Sequence, residues 1–245
     1  MKFQVSKSKV FKSLAHLQGI VDKKNSLPIL SNILIEAKND NLTLSSTDMD
    51  ISIVDKINCN VLEEGATTIN SQILYDIVRK LNDNSELEVI SNNGKILTLR
   101  ADESRFSLAC LPKEDFPIID KSSDGKSFNI NSQDLFKLID KTKFAISNEE
   151  TRYFLNGLYL NIQNNDDNTT ITLVGTDGHR LAKFSHQIKQ NIEQSIGVIV
   201  PKKTIYELSK LLSELDKEIE IIVSASKIIF LINNNILISK LIDGS

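Results

Sequence analysis

Apolar and polar residues alternate along short stretches of this chain, and the alternation gives way at intervals to helical spacing. In "FQVSKSKVFKSLAHLQGIV" (3–21) the first residues alternate, then Val10, Leu14 and Leu17 recur on one helix face. A period of two marks a half-buried strand, and steps of three and four mark an amphipathic helix. The stretch therefore predicts a strand followed by a helix. The same pattern returns in "FNINSQDLFKLIDKTKFAI" (128–146), where Leu135, Leu138 and Ile139 make the stripe.

The correspondence continues along the chain. "LPILSNILIEAKNDNLTLSSTDMDISIV" (27–54) answers to "RYFLNGLYLNIQNNDDNTTITLVGTDGHRLAKF" (152–184); both read strand, polar turn, strand, Thr-Asp, strand. A third pair, 66–111 and 199–242, reads strand, helix and three strands with Asn and Gly at the turns. A repeat this long organises the whole fold. It predicts two domains, 1–121 and 122–245, each built from two strand–helix–three-strand units. Strands outnumber helices, so the class is α+β with antiparallel sheet. The seam "LPKEDFPIIDKSSDGKS" (111–127) holds two of the four prolines and a Ser/Gly/Lys cluster, which is linker chemistry.

Composition narrows the classes. The chain has 245 residues, 40% hydrophobic and 25% charged, which suits a soluble globular protein. Cys59 and Cys110 stand far apart and match neither a metal-ligand spacing nor a disulfide framework, so a reducing cytoplasm is expected. The start "MKFQVSKSKVFKSL" lacks the apolar core of a signal peptide. The apolar run 219–242 is interrupted by Lys227 and Asn233–Asn235 and reads as strands rather than a membrane span.

Charge is unevenly placed. The spacing predicts helices at 6–24, 71–81, 132–143 and 201–217, with fourteen Lys/Arg and seven Asp/Glu. These helices carry +7, so a chain total of −3 leaves −10 for everything else. Solvated lysines are one reading; a shared basic face that follows a polyanion is the other. No glycine-rich phosphate loop or interleaved aromatic set accompanies them, so binding would be backbone-directed and independent of sequence.

"TLVGTDGHRLAKF" (172–184) concentrates the candidate chemistry. Asp177 and His179 share a face if the segment is a strand. No activated Ser or Cys motif joins them, which points away from catalysis. Asp177, His179 and His186 form no recognised metal spacing. Asp177–Gly178 also suits a tight turn. The first copy, "SSTDMDIS" (45–52), keeps Thr-Asp and lacks Gly-His-Arg. A structural requirement would recur in both copies, so Gly178–Arg180 are candidates for function.

Several blocks together carry a resemblance: "LPILSN" (27–32), "TTI" (67–69), "RFSL" (105–108), "LPKEDFP" (111–117), "RYFLNG" (152–157), "TDGHRLA" (176–182), "IVPKK" (199–203) and "SKLIDG" (239–244). In order and spacing these resemble the bacterial sliding clamp, the β subunit of DNA polymerase III. The resemblance implies a DNA-clamp fold, with antiparallel sheets outside and helices lining the inner face of a ring around duplex DNA. It implies a processivity factor with no catalytic activity and no cofactor. Its partners would be DNA, bound without sequence specificity, and polymerase and clamp-loader subunits that insert short linear motifs; no membrane is involved. A full-length family subunit has three domains and closes as a homodimer ring. This sequence matches two of them, which reads as a chain without the third domain. A two-domain subunit of a trimeric clamp and a peptide-binding adaptor that does not encircle DNA are the alternatives.

The resemblance also assigns residues. The client-peptide cleft maps to Arg152, Leu155, Thr176, Gly178, His179, Arg180 and Leu181, with the leucines as apolar floor and the basic residues as rim donors. DNA-facing positions map to Lys24, Lys202 and Lys203. Glu149 and Glu150 in "NEETR" would repel phosphate nearby. The ring interface maps to Arg105, Phe106 and Leu108. Phe106 and Leu108 also suit ordinary core. Without a third domain, head-to-tail dimerisation of this chain is not expected.

Overall fold

The computed structural model describes residues 1–21, 27–92, 94–122, 124–165, 168–190, 192 and 195–244, apart from the side chains of Glu150 and Asn165. It divides into two units: Met1–Asp120 with Asn234–Ile236, and Lys121–Asn233 with Leu237–Ser245.

The first unit runs β1 (Lys2–Ser6), α1 (Lys7–Gln18), β2 (Asn32–Lys38), β3 (Asn41–Thr47), β4 (Ile51–Asn58), β5 (Asn60–Glu63) and β6 (Gly65–Asn70). It continues with α2 (Ser71–Lys80), β7 (Glu86–Ser91), β8 (Ile96–Ala101) and β9 (Ser104–Leu111). Its strands lie in the order β4-β3-β2-β6-β9-β8-β7-β1-β5. The second part of the chain follows with β10 (Lys126–Asn131), α3 (Ser132–Asp140), β11 (Gly157–Asn165), β12 (Asn168–Thr176), β13 (Leu181–Ile188) and β14 (Ile196–Pro201). Then come α4 (Lys202–Leu212), β15 (Glu218–Val223), β16 (Lys227–Ile232) and β17 (Asn235–Lys240). Two four-stranded sheets result, β13-β12-β11-β14 and β10-β15-β16-β17. The class is α+β, and the strand pairings are antiparallel. The sequence repeat is thus a repeat of structure. One element departs from it: β5 pairs with β1 and has no counterpart among the described residues of the second copy.

Hydrogen bonds repeat as well as strands. The N–H of Lys7, which opens α1, donates to Ser85 O at 2.9 Å; the N–H of Ser132, which opens α3, donates to Lys217 O at 2.9 Å. Asn70 and Asn131 cap α2 and α3, accepting from Ile73 N at 3.0 Å and Gln133 N at 2.8 Å. The β2–β3 hairpin turns through Asn39 and Asp40 at φ 49° and 55°, the type I′ geometry that suits twisted strands.

Each core lies between paired helices and sheet. In the first unit Phe3, Val5, Val10, Leu44, Leu74 and Leu97 close around a void of about 20 Å³. In the second, Phe128, Ile130, Leu135, Leu173, Ile205 and Ile221 do so around about 10 Å³. Neither void holds more than about one water, so both cores are close-packed. α1 meets α2 through stacked rings of Phe11 and Tyr75, 5.4 Å between centroids, and a 3.0 Å bond from Gln18 to Ser71.

The helices are shorter than their spacing suggests, and this thins the basic face. α3 ends where Thr142 Oγ1 donates to Leu138 O at 2.7 Å and turns the chain into a 3-10 segment, Lys143–Ala145. Within the observed bounds the four helices hold nine Lys/Arg and four Asp/Glu, a balance of +5 rather than +7. Lys7 is 5% exposed; its Nζ meets Asp83 at 2.6 Å and lies 4.9 Å from the Phe11 ring, so it serves packing. Arg79, Lys137 and Lys210 pair with Asp76, Asp134 and Glu207 on their own helices.

Leu14 and Leu138 are both fully buried. Truncation leaves a cavity that rigid neighbours fill poorly. We expect Leu14→Ala and Leu138→Ala each to destabilise the protein by about 2–5 kcal/mol in urea unfolding. A loss well under about 1 kcal/mol at either position would contradict the packing described.

Candidate functional site

On β11 and β12, Leu158, Leu160, Ile171 and Leu173 turn inward and are buried. The intervening residues face the other way. Tyr159 stands opposite Val174 on one side and Ile199 on the other, so the three form a row across β12, β11 and β14. Thr176 continues the face two residues beyond Val174. Beside this row runs the 3-10 segment Glu150–Leu155, which presents Tyr153 and Phe154 with rings edge to face at 5.9 Å. Both rings are exposed. Together they enclose an open cleft of about 950 Å³, closed at one end by Asp243 and Gly244. The Ile242 N–H bonds Ile199 O at 3.0 Å and holds that end in place. Exposed aromatic and aliphatic surface of this extent suits an apolar ligand segment.

The cleft's polar rim is the turn between β12 and β13. Asp177 Oδ1 accepts from His179 N and Arg180 N, both at 3.0 Å, and Oδ2 accepts from Arg180 Nε at 3.0 Å. Thr176 Oγ1 donates to Arg180 O at 2.8 Å and accepts from Gly178 N at 3.1 Å. The two backbone N–H bonds, that of Arg180 first, and then the Arg180 guanidinium hold the Asp177 carboxyl down at about 2. Arg180 also donates to Phe144 O at 2.8 Å, with its guanidinium 5.6 Å from the Phe144 ring.

The shared strand face on which an acid/base pair would depend is not formed. Asp177 and His179 lie in a turn and share no strand face. The Asp177 carboxylate is occupied by backbone N–H groups and Arg180. His186 Nε2 meets Asp134 Oδ2 at 3.4 Å instead of joining Asp177. Among the described residues no cluster of three or more His, Cys, Asp or Glu could hold a metal ion.

The first copy makes the same turn. Thr47 Oγ1 donates to Ile51 O at 3.1 Å, and Asp48 Oδ1 accepts from Asp50 N at 3.0 Å and Ile51 N at 2.8 Å. Met49 holds φ 81° there, and Gly178 holds φ 88°. The turn therefore does not demand glycine. Arg152 fills the space that a side chain there would take. A Cβ on Gly178 would lie 2.5 Å from Arg152 Nη1. Arg152 rests over that glycine and donates through Nη2 to Asp177 O at 3.2 Å. Glu149 grips the guanidinium from outside, with Nε–Oε2 at 2.8 Å and Nη2–Oε1 at 2.7 Å. Those bonds, and then the charge of Arg152, hold the Glu149 carboxyl below its usual range. Glu149 thus spends its charge on Arg152, which weakens the expectation that it repels phosphate.

Of the seven residues assigned to the cleft, Leu155 and Thr176 line it. Gly178, His179 and Arg180 belong to the adjoining turn, Arg152 rests against it from the 3-10 segment, and Leu181 follows at 65% exposed. Tyr153, Phe154, Tyr159, Val174 and Ile199 were not singled out by sequence reasoning. A signal existed for Tyr159 and Val174, since strict alternation from buried Leu158 and Leu173 turns them outward. Lys202 and Lys203 open α4; Lys202 Nζ donates to Asn148 Oδ1 and lies 5.8 Å from the Tyr206 ring. Lys24 lies outside the described residues. On β9, Phe106 and Leu108 are half-buried and stand opposite Leu99 and Leu97. β9 bonds β8 along its length, but β6 only at Cys110 and Leu111.

The rim carries a pH prediction. A carboxyl titrating lower when folded stabilises the turn fully above its ordinary value of 3.8 and loses that contribution as pH falls through about 2. The turn should be intact at about pH 4 and loosen only near its folded titration. An NMR titration of the Asp177 side-chain carboxyl carbon should give a midpoint near 2; an ordinary midpoint would contradict the hydrogen bonds. Gly178→Ala should leave the turn formed and displace the Arg152 side chain, read as a shift of its Nε resonance.

Comparison with known proteins places the chain. Residues 1–120 match the family model of the DNA polymerase III beta subunit, N-terminal domain, and residues 129–245 match that of its central domain. A beta sliding clamp of Caulobacter vibrioides is 41% identical over the whole chain, and that of Rickettsia felis 39%. The chain spans 66% and 64% of the lengths of these two curated relatives. Among solved structures, a Bartonella birtlesii sliding clamp bound to griselimycin superposes with TM-score 0.95 at 40% identity, covering all of this chain and 66% of its own. The Caulobacter crescentus pol III beta structure gives 0.93 at 40% identity, covering all of this chain and 67% of its own. With two consecutive domain models and the fold in agreement, the chain belongs to the family of the DNA polymerase III β subunit, the beta sliding clamp.

Proposed function

We propose that this chain acts in a DNA polymerase processivity factor, a non-catalytic clamp that encircles duplex DNA and holds polymerases through short peptide motifs. Family membership supports the clamp. The cleft beside the Asp177–Arg180 turn carries the peptide reading. It offers exposed aromatic and aliphatic floor with donors at one lip, the arrangement that seats an extended segment by its apolar anchors. The first copy builds the same turn without Gly-His-Arg, so the turn alone does not account for those residues.

DNA contact rests on weaker support. Lys202 and Lys203 place positive charge in the first turn of α4, where the helix dipole disfavours it. A phosphate backbone lying against that end of α4 would favour it. Ring closure would use the stretch of β9 that β6 leaves unpaired, with Arg105, Phe106 and Leu108 beside it. An open strand edge readily accepts another strand. The partner edge would come from a domain beyond the two described, in a cytoplasmic homodimer. An encircled duplex needs no tight phosphate contacts, which agrees with the net charge of −3.

Fluorescence anisotropy with a labelled peptide of aliphatic and aromatic anchors tests the cleft. Leu155→Ala and His179→Ala should each weaken binding roughly five- to tenfold, as loss of an interface anchor does. Met49→Ala, in the first copy, should leave it unchanged. Equal affinity of all forms would contradict the reading. The clamp itself predicts that the full-length protein loaded on nicked circular DNA is released when the circle is linearised; retention on linear DNA would indicate direct affinity.

A further inference from the structure

We propose that Glu149 is a built-in competitor for the guanidinium of Arg152, and that a client peptide carrying a carboxylate reaches this group only by displacing it. The inference rests on the peptide-cleft reading and names the chemistry of one client contact.

The ion pair is fork to fork, two parallel bonds of 2.8 and 2.7 Å from Nε and Nη2 to the two carboxylate oxygens. That is the geometry in which arginine receives any carboxylate, including a ligand's. Arg152 does not depend on Glu149 for its place. Its Nη2 also donates to Asp177 O at 3.2 Å, and its Nη1 lies over Gly178, where no side chain competes for the space. When Glu149 leaves, the guanidinium stays seated on the turn.

Glu149 is the movable partner. Its side chain is 51% exposed, against 37% for Arg152, and it lies on the solvent side of the pair. Its N–H donates to Ser147 Oγ at 3.0 Å, so the backbone stays anchored while the carboxylate rotates away. His179 is close enough for its charge to act on the same carboxyl, and Asp177 opposes it. Of the basic rim groups, Arg152 is bound to Glu149 and Arg180 to Asp177.

Position links the pair to the cleft. Tyr153 and Phe154 follow Arg152 directly and line the apolar floor. A peptide anchored there carries its flanking residues past the guanidinium. Exposed ion pairs contribute little, so exchanging one carboxylate for another is close to balanced. Glu149 then lowers the affinity for acidic peptides and leaves neutral ones untouched. The device is a specificity filter made from one side chain.

The test uses two probes, acetylated and amidated Asp-Leu-Leu-Phe-Asp and Asn-Leu-Leu-Phe-Asn, titrated by calorimetry into wild type, E149Q and R152A. The acidic probe should bind E149Q roughly two- to fivefold tighter than wild type, the range of an exposed pair. The neutral probe should bind both alike, and R152A should remove the preference for the acidic probe. Equal tightening of both probes, or no tightening of the acidic one, overturns the proposal. If both probes bind wild type and E149Q fails to separate them, this inference alone fails. If neither probe binds wild type, the peptide-cleft reading fails and takes this inference with it.

Discussion

Helices of nine to twelve residues are too short to stand alone in water, so each must be held by what it packs against. That constraint shapes the whole molecule. α1 and α2 bury Val10, Leu14, Leu17, Leu74 and Val78 on their sheet. α3 and α4 bury Leu135, Leu138, Ile139, Ile205, Leu208 and Leu212 on theirs. Because helices cover one face of each sheet, alternation sends every second strand residue to the other face. In the second unit that face carries Tyr159, Val174 and Ile199. The exposed apolar floor is therefore a consequence of where the helices sit.

The repeat shows how a scaffold acquires a site. Both copies build the same Thr-Asp turn with matching hydrogen bonds, and one of them does so with Met49 at positive φ. Glycine at the equivalent position gains nothing essential for the turn. It makes room for Arg152, which then meets Glu149 and Asp177. A single small residue thus converts a structural turn into one lip of a cleft, and the charge of that lip is set by a neighbour three residues away in sequence.

Much of this was legible in the sequence because periodicity reports burial directly. The helix stripes, the repeat, the α+β class and the turn at Asp177–Gly178 all follow from spacing and residue type. Helix ends fall short of the periodicity; at α3 Thr142 bonds Leu138 O, a contact that no periodicity encodes. β5 escapes the repeat because it has no counterpart among the described residues of the second copy. Tyr153 and Phe154 lay inside a quoted block, but only the fold shows that both rings remain exposed. The occupation of Asp177 by backbone N–H groups, which removes it from acid/base chemistry, depends on a turn geometry that residue identities leave open.

Family, floor and rim support one proposal: the second unit carries the peptide site and the first carries its unequipped counterpart. Amide chemical-shift mapping on isotopically labelled protein tests this directly. On addition of an aliphatic–aromatic peptide, shifts should cluster at 152–159, 174–181 and 197–199 and leave 47–51 unmoved. Saturable binding that instead perturbs the 47–51 turn, or that spares the cleft residues, would contradict the account.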